Sequence, residues 1–399
     1  MTDSTGFLRG ADSTPSCTDG AAPPDEALRV LYPTTLQAPA DLPDIDWLPY
    51  DPMRPSPAGS AGADVLVVWE TESRALHALA SALTSLRLVQ LLTVGYEQAL
   101  GAGFSPSVAI ANGQGLHTHA VVEHTLALLL GVMRRIPEAA RAQHAHEWSH
   151  TSLTAASDSR VVTTLKDAQV TIWGYGAIGS ALAPHLTALG ARVTGVRRRA
   201  ERHPGNDFAI PVVAERDIDD ILPMTDVLIM ILPSSPQNRH ALDARRLALL
   251  PSHALVVNVG RGDTIDEPAL VDALASHRIG GGGLDVTTVE PLPAGSPLWD
   301  LPNVLITPHS AGGYPRDWQE LVQHNVRSLV LGQPLHNVVR PAAGSATIAG
   351  RVAGAGPTAG KGELGGLPPG RSTLRRIGRS DSDAASPARV RRAWPPVPR

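Results

Sequence analysis

The sequence predicts an α/β fold in which a parallel β-sheet is covered by helices on both faces. From residue 168 onward, short runs rich in Val, Ile and Leu alternate with segments of helical length. Near-continuous apolar strands of this kind are typical of parallel sheets, because both faces of the sheet are buried. Apolar residues make up 43% of the 399 residues, enough to build full cores, and the length leaves room for more than one domain.

The expected elements follow the apolar runs and the glycine and proline signals at their ends. A buried helix is expected from about Ala120 to Arg135, and a last helix from about Pro315 to Leu331, before Gly332. The expected strands are Leu28–Tyr32, Asp64–Trp69, Leu86–Thr93, Val170–Trp173, Arg192–Val196, Asp226–Leu232, Ala254–Val259, Gly283–Val286 and Asn303–Thr307, and the other helices are Glu72–Leu83, Ala177–Leu189, Ala241–Leu250 and Glu267–Ala275.

Charge and cysteine content exclude several classes of protein. The net charge is −4, and the basic residues 341–399 leave the rest of the chain more acidic still, which argues against a nucleic-acid-binding domain. The only cysteine, Cys17, permits neither a disulfide framework nor a cysteine zinc site. No apolar run reaches the roughly 18 residues that span a bilayer, and residues 1–26 lack the apolar segment of a signal peptide. We expect a cytoplasmic protein without nucleic-acid or membrane partners.

A glycine-rich motif directly follows one of the expected strands. Residues 174–179 read Gly-Tyr-Gly-Ala-Ile-Gly, between the strand that ends at Trp173 and the next helix. In this context the spacing is that of a dinucleotide fingerprint. Gly174 permits the tight turn, Gly176 lets a pyrophosphate approach the backbone, and Gly179 lets helix and strand pack closely. A glycine-rich turn without a ligand is the alternative interpretation.

Three arginines follow the next strand. Arg197, Arg198 and Arg199 lie 18 to 20 residues after Gly179, where an NAD enzyme normally presents a carboxylate to the ribose 2′-hydroxyl. Each charge-assisted contact with a 2′-phosphate contributes roughly 1.5–3 kcal/mol. The sequence therefore predicts NADP as the preferred cofactor, with NAD as the alternative. A solvated basic turn is the other interpretation of the three arginines.

A second set of polar residues follows three later strands. Because the carboxyl ends of parallel strands meet at one edge of the sheet, Arg261, Glu290 and His309 can gather there. Arg261 can bind a substrate carboxylate through its guanidinium, and His309 can give a proton to an oxygen that receives hydride. Glu290 can hold the imidazolium. Taken singly, each residue also has an interpretation without chemistry: a surface salt bridge for Arg261, a loop carboxylate for Glu290 and a structural histidine for His309.

These motifs together resemble the D-isomer-specific 2-hydroxyacid dehydrogenase family, and within it the glyoxylate/hydroxypyruvate reductases. The resemblance is carried by GYGAIG, NVGRG, GGLDVTTVEPLP and TPHSAGG, whose order and spacing both match, and it covers roughly residues 27–340. It implies an enzyme that transfers hydride between nicotinamide C4 and C2 of a small 2-oxo acid such as glyoxylate or hydroxypyruvate. It also implies a homodimer, and a fold of two Rossmann-like parallel-sheet domains, flavodoxin-like and NAD(P)-binding, with the active-site cleft between them.

The resemblance also implies roles for individual residues. His309 is the acid/base, Glu290 tunes it, and Arg261 orients the 2-oxo acid. The implied substrate-binding residues are Val94, Gly95, Tyr96 and Arg261, through the backbone N–H groups of the first three. The implied cofactor-binding residues are Gly174, Gly176, Ala177, Ile178, Gly179, Arg197, Arg198, Pro233, Asn238, Val259, Arg261 and Asp285, the last at the nicotinamide amide.

Four segments are expected along the chain. Residues 27–116 and 310–340 form the substrate domain, and residues 117–309 the NAD(P)-binding domain. Residues 1–26, rich in Ser, Thr, Asp and Pro, and the Gly/Pro/Arg-rich residues 341–399 have compositions typical of disorder.

Two alternatives stay open at this point. A dinucleotide-sensing interaction protein resembling a corepressor is the alternative function, because such a protein uses the same fold and retains the catalytic residues. Histidines cluster at His117, His119 and His124, but the spacing has one residue too many for an H-x-x-E-H zinc motif. We therefore expect structural histidines and no metal site.

Overall fold

Two separate β-sheets organise the chain. The computed structural model describes residues 27–37, 39, 45–54, 60–148, 162–199 and 210–343. The expectations for residues 1–26 and for the tail beyond residue 343 lie outside these ranges. At the start of the tail, the backbone N–H of Ala343 donates to the carbonyl of Pro106.

Thirteen strands and nine α-helices are found in the described residues. The strands are β1 Leu28–Pro33, β2 Ile45–Tyr50, β3 Val65–Val68, β4 Leu88–Leu91, β5 Ala109–Ala111, β6 Gln169–Trp173, β7 Arg192–Arg197, β8 Val212–Ala214, β9 Val227–Met230, β10 Leu255–Asn258, β11 Gly281–Leu284, β12 Val304–Ile306 and β13 Val338–Arg340. The α-helices are α1 Ser73–Ala82, α2 Glu97–Gly101, α3 Thr118–Met133, α4 Ile136–His144, α5 Ala177–Ala188, α6 Ile218–Ile221, α7 Ala244–Leu247, α8 Glu267–Ala275 and α9 Trp318–Val330.

The first sheet has six strands in the order β13-β5-β4-β3-β1-β2. Its strands are parallel except β13, which pairs antiparallel with β5 and closes one edge. The chain order reverses between β1 and β3, so the loops after β3 and β4 lie at the carboxyl edge beside this reversal. Helix α9 packs against the sheet through Trp318, whose ring stacks on Tyr32 at 6.3 Å and meets Trp47 edge-on at 5.9 Å.

The second sheet has seven strands, all parallel, in the order β12-β11-β10-β9-β6-β7-β8. Its central strands are wholly buried, as expected for a sheet covered on both faces. Helix α3 packs on this sheet, where Leu128 and Leu129 are buried with Leu182 of α5. The chain order reverses between β6 and β9, which places the glycine motif after β6 at the point where open α/β sheets bind ligands. The predicted fold class is confirmed.

Some expected boundaries are wrong, and the reasons are local. The helix expected at Ala241–Leu250 is only the single turn α7, because Leu242 forms a β-bridge with Ile265. The Asp243 side chain then accepts the N–H of Arg246 and begins the helix there. The strand expected at Gly283–Val286 begins two residues earlier, since glycines 281–283 carry no strand signal yet pair with β10.

Candidate active site

The glycine motif forms a tight turn between β6 and α5. Gly174 has φ +101°, and a Cβ there would lie 2.5 Å from the carbonyl oxygen of Ile231. A Cβ at Gly179 would lie 3.1 Å from Cγ2 of Ile172, so the helix packs close to the strand. Nothing lies within 4 Å of a Cβ at Gly176, so the backbone faces open space there. Each glycine therefore meets the requirement expected of a dinucleotide fingerprint.

The first turn of α5 offers free donors to an anion. Within the part of the chain that the structure describes, the N–H groups of Ala177, Ile178 and Gly179 have no hydrogen-bond acceptor. Helix N-termini carry partial positive charge, and such N–H groups bind phosphate. Donors and space together fit the pyrophosphate of a dinucleotide.

The three arginines lie at the end of β7, beside this turn. Arg197 is half-buried and the next two are exposed. Burial raises the pKa of Tyr175, and the positive charge of Arg197 partly offsets this, as expected for a guanidinium near the glycine motif. Among the described residues, none of the three arginines pairs with a carboxylate. The cations are therefore available to an anionic ligand.

The other expected cofactor residues lie along the carboxyl edge of the second sheet. The side-chain amide of Asn238 donates to the carbonyl of Pro233 at 2.8 Å, which fixes the loop after β9. Val259 follows β10 directly, and its N–H donates to the carbonyl of Met230. These residues line the same sheet edge as the glycine motif.

His309 and Glu290 form a directed pair. Nδ1 of His309 lies 2.7 Å from Oε2 of Glu290. The other carboxylate oxygen, Oε1, accepts the backbone N–H of Thr287 at 3.1 Å, which fixes the acid. Because a carboxylate can only accept, Nδ1 carries the hydrogen and Nε2 is left for another partner. The structure thus brings together two of the three expected catalytic residues in direct contact.

Asp285 holds the loop that carries His309. Its side chain is buried, and its carboxylate accepts the hydroxyl of Thr307 at 2.6 Å and the N–H groups of Ser310 and Ala311 at 2.9 and 3.1 Å. The Asp285 carbonyl accepts the N–H of His309 at 2.7 Å. His309 itself has φ +50°, a left-handed conformation that a non-glycine residue adopts only where its surroundings impose it. The sequence does not reveal this anchoring role, because it depends on the fold of the loop.

Arg261 lies over the loop that follows β4. Its Nη1 donates to the carbonyl of Gly260 at 2.7 Å, and its Nη2 lies 2.9 Å from the position that a Cβ on Gly95 would take. The N–H groups of Val94 and Gly95 have no acceptor among the described residues, whereas that of Tyr96 donates to Oε2 of Glu97. In the described part of the chain, the Arg261 guanidinium thus lies beside two backbone N–H groups, of Val94 and Gly95, that are free to bind a ligand.

A cavity of about 320 Å³ connects this loop with the histidine. His309 lines it together with Gly95, and its other walls come from the ends of β3 and β4, the loops after them, and helices α1 and α2. Sequence analysis missed the residues after β3, Trp69, Glu70 and Thr71, although the sheet-edge rule already pointed to them.

Two of the three clustered histidines have structural partners. Both ring nitrogens of His117 contact backbone carbonyl oxygens, of Gly312 at 2.8 Å and of Leu92 at 2.7 Å. His124 contacts the Thr307 hydroxyl at 2.9 Å. Among the described residues no group of three His, Cys, Asp or Glu side chains is arranged to hold a metal ion.

The site defines a dinucleotide-binding α/β protein with an Arg–Glu–His constellation, and comparison with known proteins identifies its family. Residues 126–311 match the model of the D-isomer specific 2-hydroxyacid dehydrogenase, NAD binding domain. Glyoxylate/hydroxypyruvate reductase B from Pectobacterium carotovorum is 32% identical over 260 residues, which cover 64% of this chain and 79% of that protein. The chain belongs to the D-isomer specific 2-hydroxyacid dehydrogenase family, and the resemblance stated from its motifs is confirmed.

Two further comparisons, with a relative and with a solved structure, agree with this family assignment. D-3-phosphoglycerate dehydrogenase from Mycobacterium tuberculosis is 29% identical over 280 residues, 70% of this chain but 51% of that protein. The chain therefore spans about half the length of this relative. The crystal structure of a D-isomer specific 2-hydroxyacid dehydrogenase from Xanthobacter autotrophicus Py2, in complex with NADPH and MES, has a TM-score of 0.61 and 28% identity, covering 79% of this chain and 98% of that one. In the residues described, no helix is long and apolar enough to cross a membrane.

Proposed function

We propose that the protein is an NADPH-preferring reductase of short 2-oxo acids such as glyoxylate or hydroxypyruvate. The observation that carries this proposal is the His309–Glu290 pair, 2.7 Å apart, at a cavity whose opposite wall is the Gly95 loop beside Arg261. An acid, a carboxylate clamp and an adjoining dinucleotide site are what carbonyl reduction requires.

Each residue has a definite task in this proposal. Arg261 and the free N–H groups of Val94 and Gly95 bind the substrate carboxylate. His309, as the imidazolium, gives the proton on Nε2 to the C2 oxygen as negative charge develops there, and becomes a neutral imidazole that keeps its hydrogen on Nδ1. The Glu290 carboxylate at Nδ1 holds the imidazolium before the transfer. The bound cofactor supplies the hydride to C2.

The cofactor is held by the second sheet and its loops. The glycine motif and the first turn of α5 bind the pyrophosphate, and Pro233, Asn238 and Val259 form the groove. Arg197 and Arg198 bind the 2′-phosphate, which is why NADP is preferred over NAD. Residues 27–116 with 310–340 act as the substrate domain, and residues 117–309 as the cofactor domain. The expected homodimer and cytoplasmic location stay predictions.

Initial-rate kinetics test the reaction. The full chain is mixed with a panel of 2-oxo acids and with NADPH or NADH, and the absorbance of the reduced cofactor is followed. Turnover above about 1 per second with glyoxylate or hydroxypyruvate supports the enzyme. His309→Ala should remove most of the rate while NADPH still quenches tryptophan fluorescence as in the wild type. Cofactor binding without turnover of any acid would instead favour the dinucleotide-sensing corepressor.

Cofactor preference has its own test. We expect kcat/KM to favour NADPH by at least about tenfold, because one charge-assisted contact is worth roughly 1.5–3 kcal/mol. Arg197→Asp should reverse the order, since it replaces attraction for the phosphate by repulsion. Arg192→Asp, at the exposed start of the same strand, is the matched control. Equal use of both cofactors by the wild type and by Arg197→Asp would refute the NADP assignment.

A further inference from the structure

The cavity beside His309 has an unusual balance of charge. About half of its lining residues are apolar, and no lysine or arginine is among those that the structure describes. Besides His309, the one ionisable side chain in this described lining is Glu70, which follows β3. Arg261 lies at the Gly95 end of the cavity, where the proposed function assigns it to the substrate carboxylate. The part of the substrate beyond C2 thus meets a wall whose fixed charge is negative.

The other polar side chains of this wall are already engaged. The Thr71 hydroxyl contacts the Tyr50 hydroxyl and donates to the Trp69 carbonyl, and the Thr93 hydroxyl donates to the Gly95 carbonyl. The Gln98 amide donates to Oγ of Ser73 at 2.6 Å. Each of these three side chains therefore already has a hydrogen-bond partner.

Glu70 differs from them. In the part of the chain that the structure describes, its carboxylate has neither a hydrogen-bond donor nor a cationic partner. Its backbone has φ +50°, a strained conformation that persists only where neighbouring structure imposes it. The ring of the preceding residue, Trp69, stacks on buried His117 at 5.6 Å between centroids. Glu70 itself is exposed, so its carboxylate is a solvent-accessible acceptor in the cavity lining.

We propose that Glu70 sets the substrate's charge: the site takes 2-oxo acids whose side chain is neutral and donates a hydrogen bond, and rejects those with a second anionic group. A hydroxyl on C3 can donate to the Glu70 carboxylate, whereas a phosphate or second carboxylate would face like charge, and among the described residues no lysine or arginine lines the cavity to offset it. This inference rests on the proposed function. It separates the two activities named among the relatives, since reduction of a phosphorylated 2-oxo acid is disfavoured here.

The test compares hydroxypyruvate with 3-phosphohydroxypyruvate, which differ only in the group on the C3 oxygen. kcat/KM is measured for both acids with NADPH in the full-length wild type, Glu70→Gln and Glu72→Gln. Glutamine keeps the size of the side chain, so a change in preference reports charge and not space. Glu72 is the matched control, because it is exposed two residues away and does not line the cavity. Glu70→Asn provides a second variant, since asparagine tolerates positive φ.

We expect the wild type to favour hydroxypyruvate by at least about a hundredfold. Glu70→Gln and Glu70→Asn should raise kcat/KM for the phosphorylated acid about tenfold, and Glu72→Gln should change neither acid more than about twofold. If the protein reduces hydroxypyruvate but neither Glu70 variant changes its preference between the two acids, this inference is wrong while the proposed function stands. Absence of turnover with every 2-oxo acid would overturn the proposed function, and this inference with it.

Discussion

Gly95→Ala isolates the proposed carboxylate clamp from the rest of the fold. The new Cβ would lie 2.9 Å from Nη2 of Arg261 and 3.2 Å from Oε2 of Glu97. Ordinary contact begins at about 3.5 Å, so the guanidinium must retreat by at least about half an ångström. The bond from Nη1 to the Gly260 carbonyl, at 2.7 Å, resists that movement on the other side. Arg261 must therefore either break this bond or leave the substrate.

The expected magnitude follows from the contact that is lost. A charge-assisted bond to a carboxylate contributes about 1.5–3 kcal/mol, which corresponds to a roughly tenfold to hundredfold rise in KM for the acid. Stability should hardly change, since both clashing atoms are ends of flexible side chains and the backbone of Gly95 is not left-handed. The KM for NADPH should also be unchanged.

The assay is initial-rate kinetics with hydroxypyruvate varied at saturating NADPH, then the reverse, alongside a thermal melt. Gly101→Ala is the matched control: it lies at the end of α2, the short helix that follows the Gly95 loop, and a Cβ there meets nothing within 4 Å. If Gly95→Ala keeps the wild-type KM for hydroxypyruvate, Arg261 does not hold the carboxylate and the proposed substrate orientation is wrong.

Three further outcomes are expected. Gly176→Ala should leave the melting temperature unchanged but weaken NADPH binding at least about tenfold in a fluorescence titration, because its Cβ would occupy only the space of the pyrophosphate. Gly174→Ala should instead destabilise the fold, because its Cβ would clash with a backbone carbonyl. Trp318→Ala should lower the free energy of unfolding by about 3–5 kcal/mol in urea titrations, because the ring is 1% exposed. Burial, and secondarily His324, lower the pKa of His336. Neutral His336 therefore stabilises the fold above about pH 6.5, and this contribution is lost as the pH falls through the lowered pKa. His336→Gln should for this reason show a smaller decrease in melting temperature than the wild type between about pH 7 and pH 5.

The parts of the fold that could be predicted are those in which one short segment carries the whole signal. The strand before Gly174, the glycine spacing and the helix after it follow each other in the chain, so their geometry is local. Four strands were missed. They are β2, which contains Pro49, and the three-residue strands β5, β8 and β13, which form where a neighbouring strand pairs with them.

The candidate site likewise contains residues that the sequence could predict and residues that it could not. Arg261, Glu290 and His309 could be picked out because each follows a strand of one parallel sheet, so strand order places all three at the same sheet edge. Glu70 lies on the other sheet, and nothing in its local sequence separates it from Glu72. The structure places Glu70, and not Glu72, in the cavity lining, next to Trp69, which stacks on His117.

Asp285 shows how the sequence can single out a residue and still leave its role undetermined. By resemblance it was expected at the nicotinamide amide. In the fold, Oδ1 accepts from both Thr307 and Ser310, and Oδ2 accepts from Ala311. The residue is 2% exposed, so its carboxylate has little capacity or access left for a ligand. A buried carboxylate with fewer donors would be costly, and these three bonds are also what holds His309 in its left-handed conformation. The geometry therefore favours an action of Asp285 on catalysis through the position of the His309 ring.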